Sequence, residues 1–341
     1  MRYLFFLNIL VTALFVPTLC RADSWELQSL PFFSQSQALS WNDNFASNTD
    51  SENPLLIRAQ NRYSKYLKEY GLWGNLYGYE GRLRPKNSAF GKLKHSNIGM
   101  QFGVDLPGKG TFGKCFYYSY SSPTSSVMRT PYAFLQDSEF EAGNHLFGMR
   151  WSSYGDGLYM LFGLNGGFDS YDFKTANSGT FDGSGWQMGA YSEFGLDVEL
   201  GKWKLRPHLT FDYRWLNHND IGNNQGVLFE GETHNALYSN LGLRAFRELM
   251  PLLDWQTRLS WLHNYLKKDD PILGQRFGSI SGLGTPTQLF FDGSPGRDWL
   301  WFGTGLKLHF GKTLSFFVDY DLTFNKYETT HTGSFMATLA W

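Results

Sequence analysis

From Asp298 to Trp341 the side chains alternate in character almost without interruption. Leu300, Phe302, Leu306, Leu308 and Phe310 fall on one parity, and Gly303, Gly305, Lys307 and His309 on the other. After Gly311-Lys312, the residues Leu314, Phe316, Val318, Tyr320, Leu322 and Phe324 oppose Ser315, Asp319, Asp321 and Thr323, and the chain ends with Phe335, Ala337, Leu339 and Trp341 in phase. A period of two belongs to a strand with one apolar and one polar face. Such runs exceed the usual length of about five or six residues in soluble sheets and approach the roughly nine to eleven that a tilted strand needs to cross a bilayer.

The same pattern recurs upstream. It predicts strands at Gly71 to Leu83, Lys94 to Leu106, Thr111 to Ser121, Glu139 to Ser153, Leu158 to Tyr171, Gly185 to Leu200, Trp203 to Trp215, Thr233 to Arg247 and Trp255 to Tyr265, twelve with the C-terminal three. In the clearest, Trp203, Leu205, Leu209, Phe211, Tyr213 and Trp215 alternate with Lys204, Arg206, His208, Thr210, Asp212 and Arg214. The connections alternate too. Pro107 to Gly110, Tyr154 to Gly157, Gly201-Lys202, Glu248 to Asp254 and Gly311-Lys312 are short and carry Gly or Pro. Between them lie long polar stretches, Pro123 to Ser138, Asp172 to Ser184, Asn217 to Glu232 and Leu266 to Arg297. Short periplasmic turns and long outer loops are the habit of outer-membrane barrels. The fold class expected is therefore all-β, a twelve-stranded antiparallel transmembrane β-barrel over residues 71–341, with both ends of the chain periplasmic. A soluble sandwich explains neither the strand lengths nor the two classes of connection.

Composition agrees. The 341 residues are 18% aromatic, 42% hydrophobic and 18% charged, with 12 Trp and 19 Tyr. Apolar residues spread over alternate positions keep the average mildly polar, and interfacial girdles enrich Trp and Tyr. Residues 1–22 read as a signal peptide, with Arg2, an apolar core from Tyr3 to Leu19, and a Cys20-Arg21-Ala22 cleavage site. Its removal takes 30 basic residues to 28 against 31 acids, a mature charge of −3, and nothing there suggests nucleic acid. Only Cys115 then remains, which excludes an intrachain disulfide and reads as an ordinary strand residue.

Residues 23–53 have no sustained period and read as a polar tether. Asn53-Pro54 is a helix-start signal. From Pro54 to Tyr70, Leu56, Tyr63 and Leu67 share one side while Arg58, Arg62, Lys65 and Lys68 mark a basic one. At about 1.5 Å per residue this helix is roughly 25 Å long, about the height of a barrel's apolar band. A barrel of twelve strands leaves a bore near the diameter of one helix, about 10 to 12 Å, so residues 54–70 are expected as an α-helix in the lumen.

Enzyme signatures are absent: the chain has no His-Glu-x-x-His, no Gly-x-Ser-x-Gly and no phosphate-binding glycine loop. His263 with Asp269 and Asp270 could suggest a protease at the barrel mouth, and reads better as the polar base of a loop. His331 and Ser334 are three residues apart on opposite faces, which does not suit a lipase pair on one lipid-facing strand. No catalytic, cofactor or metal site is expected. The inward charges Arg206, Arg214, Arg244, Arg258 and Lys307 share parity with Glu193, Asp197, Asp212, Asp319 and Asp321, and with His208. Mixed signs suit a wall that pairs with itself or with an inserted helix better than a single-sign selectivity ring. The wall's Glu193, Asp197, Asp319 and Asp321 are the expected partners of the helix cations.

Several stretches carry a resemblance: Gly71-Leu72-Trp73-Gly74 after a helix, Gly99-Met100-Gln101-Phe102-Gly103-Val104-Asp105, Leu205-Arg206-Pro207-His208-Leu209, Leu241-Gly242-Leu243-Arg244, and His331-Thr332-Gly333-Ser334 to Trp341. In this order and spacing, residues 54–341 resemble the C-terminal translocator domain of autotransporters. The resemblance implies a barrel with a helix through its pore leading to an exported passenger, accounts for Pro207 within a strand, and implies that the terminal aromatics Phe335, Leu339 and Trp341 serve as an assembly signal. Here only residues 23–53 are left as passenger, a short or vestigial one. Asn61 stands where self-cleaving relatives use an asparagine, but lacks their flanking motif. The partners expected are outer-membrane lipid and the barrel-assembly machinery, with a monomeric barrel. A small-solute channel is the alternative, and an outer-membrane hydrolase the least favoured reading.

Overall fold

The computed structural model describes residues 71–83, 92–107, 112–128, 139–155, 157–175, 179–223, 226–229, 232–265, 272–276, 288–291, 297–311 and 313–340. Twelve strands form the wall: β1 (Gly71–Leu83), β2 (Lys92–Pro107), β3 (Phe112–Met128), β4 (Glu139–Gly155), β5 (Leu158–Thr175), β6 (Gly179–Leu196), β7 (Trp203–His218), β8 (Glu232–Met250), β9 (Leu253–Asn264), β10 (Asp298–Phe310), β11 (Leu314–Phe324) and β12 (Glu328–Ala340). Each pairs antiparallel with its neighbours in sequence. β1 pairs with β12 from Gly71↔Ala340 to Leu83↔Glu328, so the ring of twelve strands closes on itself. The expected helix 54–70, the tether and the signal peptide lie outside the described residues.

Burial follows the alternation. Leu300, Phe302, Leu306 and Leu308 are exposed on the outer face while Trp299, Trp301, Gly303, Gly305 and Lys307 are buried on the inner one. The turns at the rim holding Gly71 and Ala340 are tight, and Gly157, Gly201 and Gly311 adopt φ of 84°, 62° and 67°, a region L side chains rarely enter.

The structure departs from the sequence reading in three places. First, several strands are longer. β3 continues through Pro123 to Met128, and β5 and β6 together take up most of the stretch from Asp172 to Ser184, so one expected long loop is largely wall and the start of another is too. Pairing in register across Asp172↔Asp182 and Lys94↔Ser126 holds these polar residues in strands where their own character suggested loop. Second, the expected strand Gly185 to Leu200 is broken at Asp197, and only Val198–Leu200 resumes pairing. That break explains Pro207. The β6 ladder lapses between Gly195↔His208 and Val198↔Leu205, so the proline's missing N–H faces a gap. Third, many aromatics are not girdle residues. Trp73, Tyr77, Tyr79, Tyr117, Tyr159, Tyr171, Tyr191, Tyr238, Trp299 and Trp301 are buried inside. The stretch from Leu266 to Arg297 contains a separate hairpin, Ile272–Arg276 with Gln288–Phe291.

Candidate functional site

The inner wall is where chemistry-bearing side chains gather. β5 to β8 bring together a dense network. Glu193 on β6, 0% exposed, receives both arms of the Arg244 guanidinium, at 2.5 and 3.1 Å, from β8. The Tyr159 hydroxyl donates to it at 2.5 Å, Tyr191 donates to its other oxygen, and Thr210 reaches it at 3.4 Å. Arg206 stacks 4.6 Å from the Tyr159 ring centroid and binds Asp197 at 2.7 Å, and Lys204 meets the same carboxylate at 3.0 Å. Glu193, Asp197, Arg206, Arg244 and Lys204 each have an opposite charge within reach, and Glu193 accepts further hydrogen bonds, the condition under which buried ions are tolerated.

A second network lies on β9 to β11. Arg258 bridges Asp319 and Asp321, its Nε standing 2.8 Å from Asp321, and the Trp301 indole N–H also donates to Asp321 at 2.8 Å. Between the networks, Arg214 pairs with Asp212 of its own strand at 2.5 Å. His208 and Lys307 are buried on the same side. Nine of the eleven charged or histidine residues picked out by parity are buried, and the half-buried Asp197 and Arg214 pair with Arg206 and Asp212.

Glu193, Asp197, Asp319 and Asp321, the expected partners of Arg58, Arg62, Lys65 and Lys68, are each held by a wall guanidinium. Those four cations lie outside the described residues. Several neutral inner groups lack a hydrogen-bond partner among the described residues. Neither side-chain atom of the Asn75 or the Asn97 amide has a hydrogen-bond partner among the described residues, although the two residues are only 1% and 3% exposed. The hydroxyls of Thr323, Thr330 and Ser334 are in the same condition. These residues gather on the adjoining strands β11, β12, β1 and β2, a largely neutral wall that also carries Glu328 and Asp105 in ion pairs, and partnerless atoms occur on the ion-paired wall too, at His208, Asn240 and Ser260.

Sequence reasoning missed several inner groups. Arg150 approaches Asp105 at 3.9 Å, His95 meets Glu328 at 3.1 Å beneath a Trp299 N–H donated to the same carboxylate, and Asp169 accepts from Gln187 at 2.7 Å and Tyr171 at 3.1 Å. Their parity was readable, but apart from Tyr171 their partners are on other strands. His263 is bound to Asp298 at 2.8 Å, while Asp269 and Asp270 lie outside the described residues. His331 faces outward against the Tyr320 hydroxyl at 2.7 Å, and Ser334 is on the opposite face. Cys115 is a buried free thiol. No group of three His, Cys, Asp or Glu that could hold a metal ion occurs among the described residues. Phe335 and Leu339 point outward, 44% and 43% exposed, while Trp341 lies outside the described residues.

With this geometry in hand, comparison with known proteins is informative. A family model described as Autotransporter beta-domain matches residues 72–321. Among solved structures, the translocator domain of autotransporter NalP from Neisseria meningitidis superposes with a TM-score of 0.64 at 12% identity, covering 87% of this chain and 97% of that one. The transport unit of the autotransporter AIDA-I from Escherichia coli gives 0.60 at 16%, covering 88% and 98%, and the beta domain of the Bordetella autotransporter Brka gives 0.56 at 12%, covering 79% and 98%. At such identities the likeness is one of fold. No curated protein matches.

Proposed function

The chain belongs to the autotransporter beta-domain family and is an outer-membrane barrel of the translocator type, and from that premise we propose that its lumen holds the segment leading into Gly71. In this reading residues 54–70 enter the bore as a helix, both ends of the barrel are periplasmic, and the segment serves as the stem of whatever is carried outward. The observation that carries it is the set of unpartnered inner groups, Asn75, Asn97, Thr323, Thr330 and Ser334. A buried polar atom without a partner costs about 1 to 3 kcal/mol. Five residues on adjoining strands in that state call for a hydrogen-bonding occupant, and the chain enters the barrel on β1 itself.

The ion-paired wall has the opposite role. Because Arg206, Arg244 and Arg258 hold the wall carboxylates, the occupant meets there a surface whose charges are largely paired, which suits a segment that has to slide during export. We further propose that the barrel acts without enzymatic chemistry, as a monomer in outer-membrane lipid, inserted by the barrel-assembly machinery. The test is single-channel conductance in planar bilayers of the chain lacking residues 1–22 and of a version beginning at Gly71. The truncated barrel is expected to conduct much more. Equal conductance in the two would defeat the reading and leave a channel whose N-terminal segment sits elsewhere.

A further inference from the structure

The barrel closes where β1 meets β12, and the outer face of that seam is unlike the wall around it. Gly74 stands directly opposite Ala337, and Gly78 opposite Gly333. Two depressions therefore open between Leu72, Leu76, Phe102, Phe335 and Leu339, which project from the same face and are between 43% and 57% exposed. The one at Gly74 is an apolar groove of about 570 Å³. At the other, a Cβ on Gly333 would meet nothing within 4 Å, and Ile98, across from Gly78, stands 77% exposed.

Just beyond this groove, towards the rim from which the β1–β2 connection leaves, the wall becomes cationic. Arg82 is paired in register with Lys94, and two like charges directly opposite each other in a sheet repel. One carboxylate, Glu80, lies 3.2 Å from Lys94. An apolar groove that ends at a cationic rim complements a molecule with an apolar tail and an anionic head.

We propose that this seam binds a phosphate-bearing lipid, its phosphate against Arg82 and Lys94 and its acyl chains in the depressions at Gly78–Gly333 and Gly74–Ala337. The lengths agree. At about 3.4 Å per residue and a tilt near 40°, the strand rises roughly 21 Å between Gly74 and Arg82, about half of the 40 to 45 Å of a bilayer with its headgroups. One lipid of one leaflet spans the distance. At Gly333, where a Cβ would meet nothing within 4 Å, an acyl chain reaches the backbone and fills space that would otherwise forfeit dispersion contacts, and at Gly74 it packs against the Phe102 ring, which lies 3.3 Å from where a Cβ would stand. The inference requires the barrel to lie in a bilayer, but not that anything passes through its lumen.

The test uses the whole chain in a neutral detergent, where neither leaflet nor orientation enters. Binding of lipid A carrying its phosphates, of the same lipid with the phosphates removed, and of inorganic phosphate is measured by native mass spectrometry. The phosphorylated lipid is expected to bind more tightly than the dephosphorylated one. Each basic residue near a lipid headgroup is worth about five-fold, so Arg82→Gln with Lys94→Gln is expected to cut that preference about 25-fold. Gly333→Leu, which has room for its side chain, is expected to weaken both lipids while leaving the preference intact. Heat-modifiable migration on gels checks that each variant is folded. Equal binding of the two lipids, a preference unchanged in the double variant, displacement of the lipid by an equal concentration of inorganic phosphate, or full binding by Gly333→Leu would each overturn the proposal.

Discussion

The indole of Trp73 lies against Gly103, its register partner on β2, so closely that a Cβ at residue 103 would stand 2.2 Å from two ring carbons. Tyr77 covers Gly99 in the same way, Tyr117 covers Gly148 and Tyr159 covers Gly195, each pair directly opposed across neighbouring strands. On the inner face each of these large rings folds down onto the adjacent strand, and only glycine leaves it room.

Gly103→Ala should therefore destabilise the barrel by about 1 to 3 kcal/mol, the range for overpacking a close contact. Trp73→Leu in the same chain should recover part of that loss. Unfolding midpoints in detergent across the four members of this cycle provide the check; strict additivity would show that the ring and the glycine are not in competition.

Arg244 should matter more than any exposed charge. Replacing it with Met leaves Glu193 fully buried without its cation, an error that costs about 3 to 5 kcal/mol. Adding Glu193→Gln removes the stranded charge and should restore a good part of the stability. Urea titration in micelles would measure both; a single variant as stable as the parent would mean that water or another cation reaches Glu193.

Deleting Phe335 to Trp341 removes the partners of Gly71 to Leu76 on one side and of Leu314 to Val318 on the other. Closure of the barrel depends on those ladders, so the truncated chain should accumulate unfolded in the periplasm. Normal amounts of heat-modifiable protein in outer-membrane fractions would contradict this, and with it any role of Phe335, Leu339 and Trp341 in assembly.

Orientation can be read with protease on intact cells. The stretch from Leu266 to Arg297, which leaves the barrel at the rim opposite Gly71, should be cut, while a site engineered at Gly311 should be protected. The reverse pattern would place both ends of the barrel outside.

Substituting the neutral wall should distinguish its role from that of the ion pairs. Asn75→Leu with Asn97→Leu, if these groups hold a lumen segment, should raise bilayer conductance towards that of the chain beginning at Gly71. Lys307→Gln, on the other wall, should change it far less. The two compared in one bilayer series give the answer directly.

What the sequence alone determined was parity. From Leu300 to Phe310, or from Trp203 to Trp215, the period of two states which side chains point inward, because successive residues of a strand alternate faces whatever lies beside them. Strand number and the antiparallel ring follow from counting such runs between turn signals. Partnership was not legible. Arg244 and Glu193 are 51 residues apart, and Arg258 lies 61 and 63 residues from Asp319 and Asp321; they meet because the register of intervening strands lifts them to one height. Parity could not say whether an inward carboxylate was free or taken, so Glu193, Asp197, Asp319 and Asp321 read as partners for Arg58, Arg62, Lys65 and Lys68. Nor could it separate an inward Tyr77 from a girdle tyrosine, since composition counts rings without their direction. The longer walls at Ser122 to Met128 and Asp172 to Thr175 were hidden for the same reason. Polar residues on both faces resemble a loop until the neighbouring strand supplies the hydrogen bonds that keep them extended.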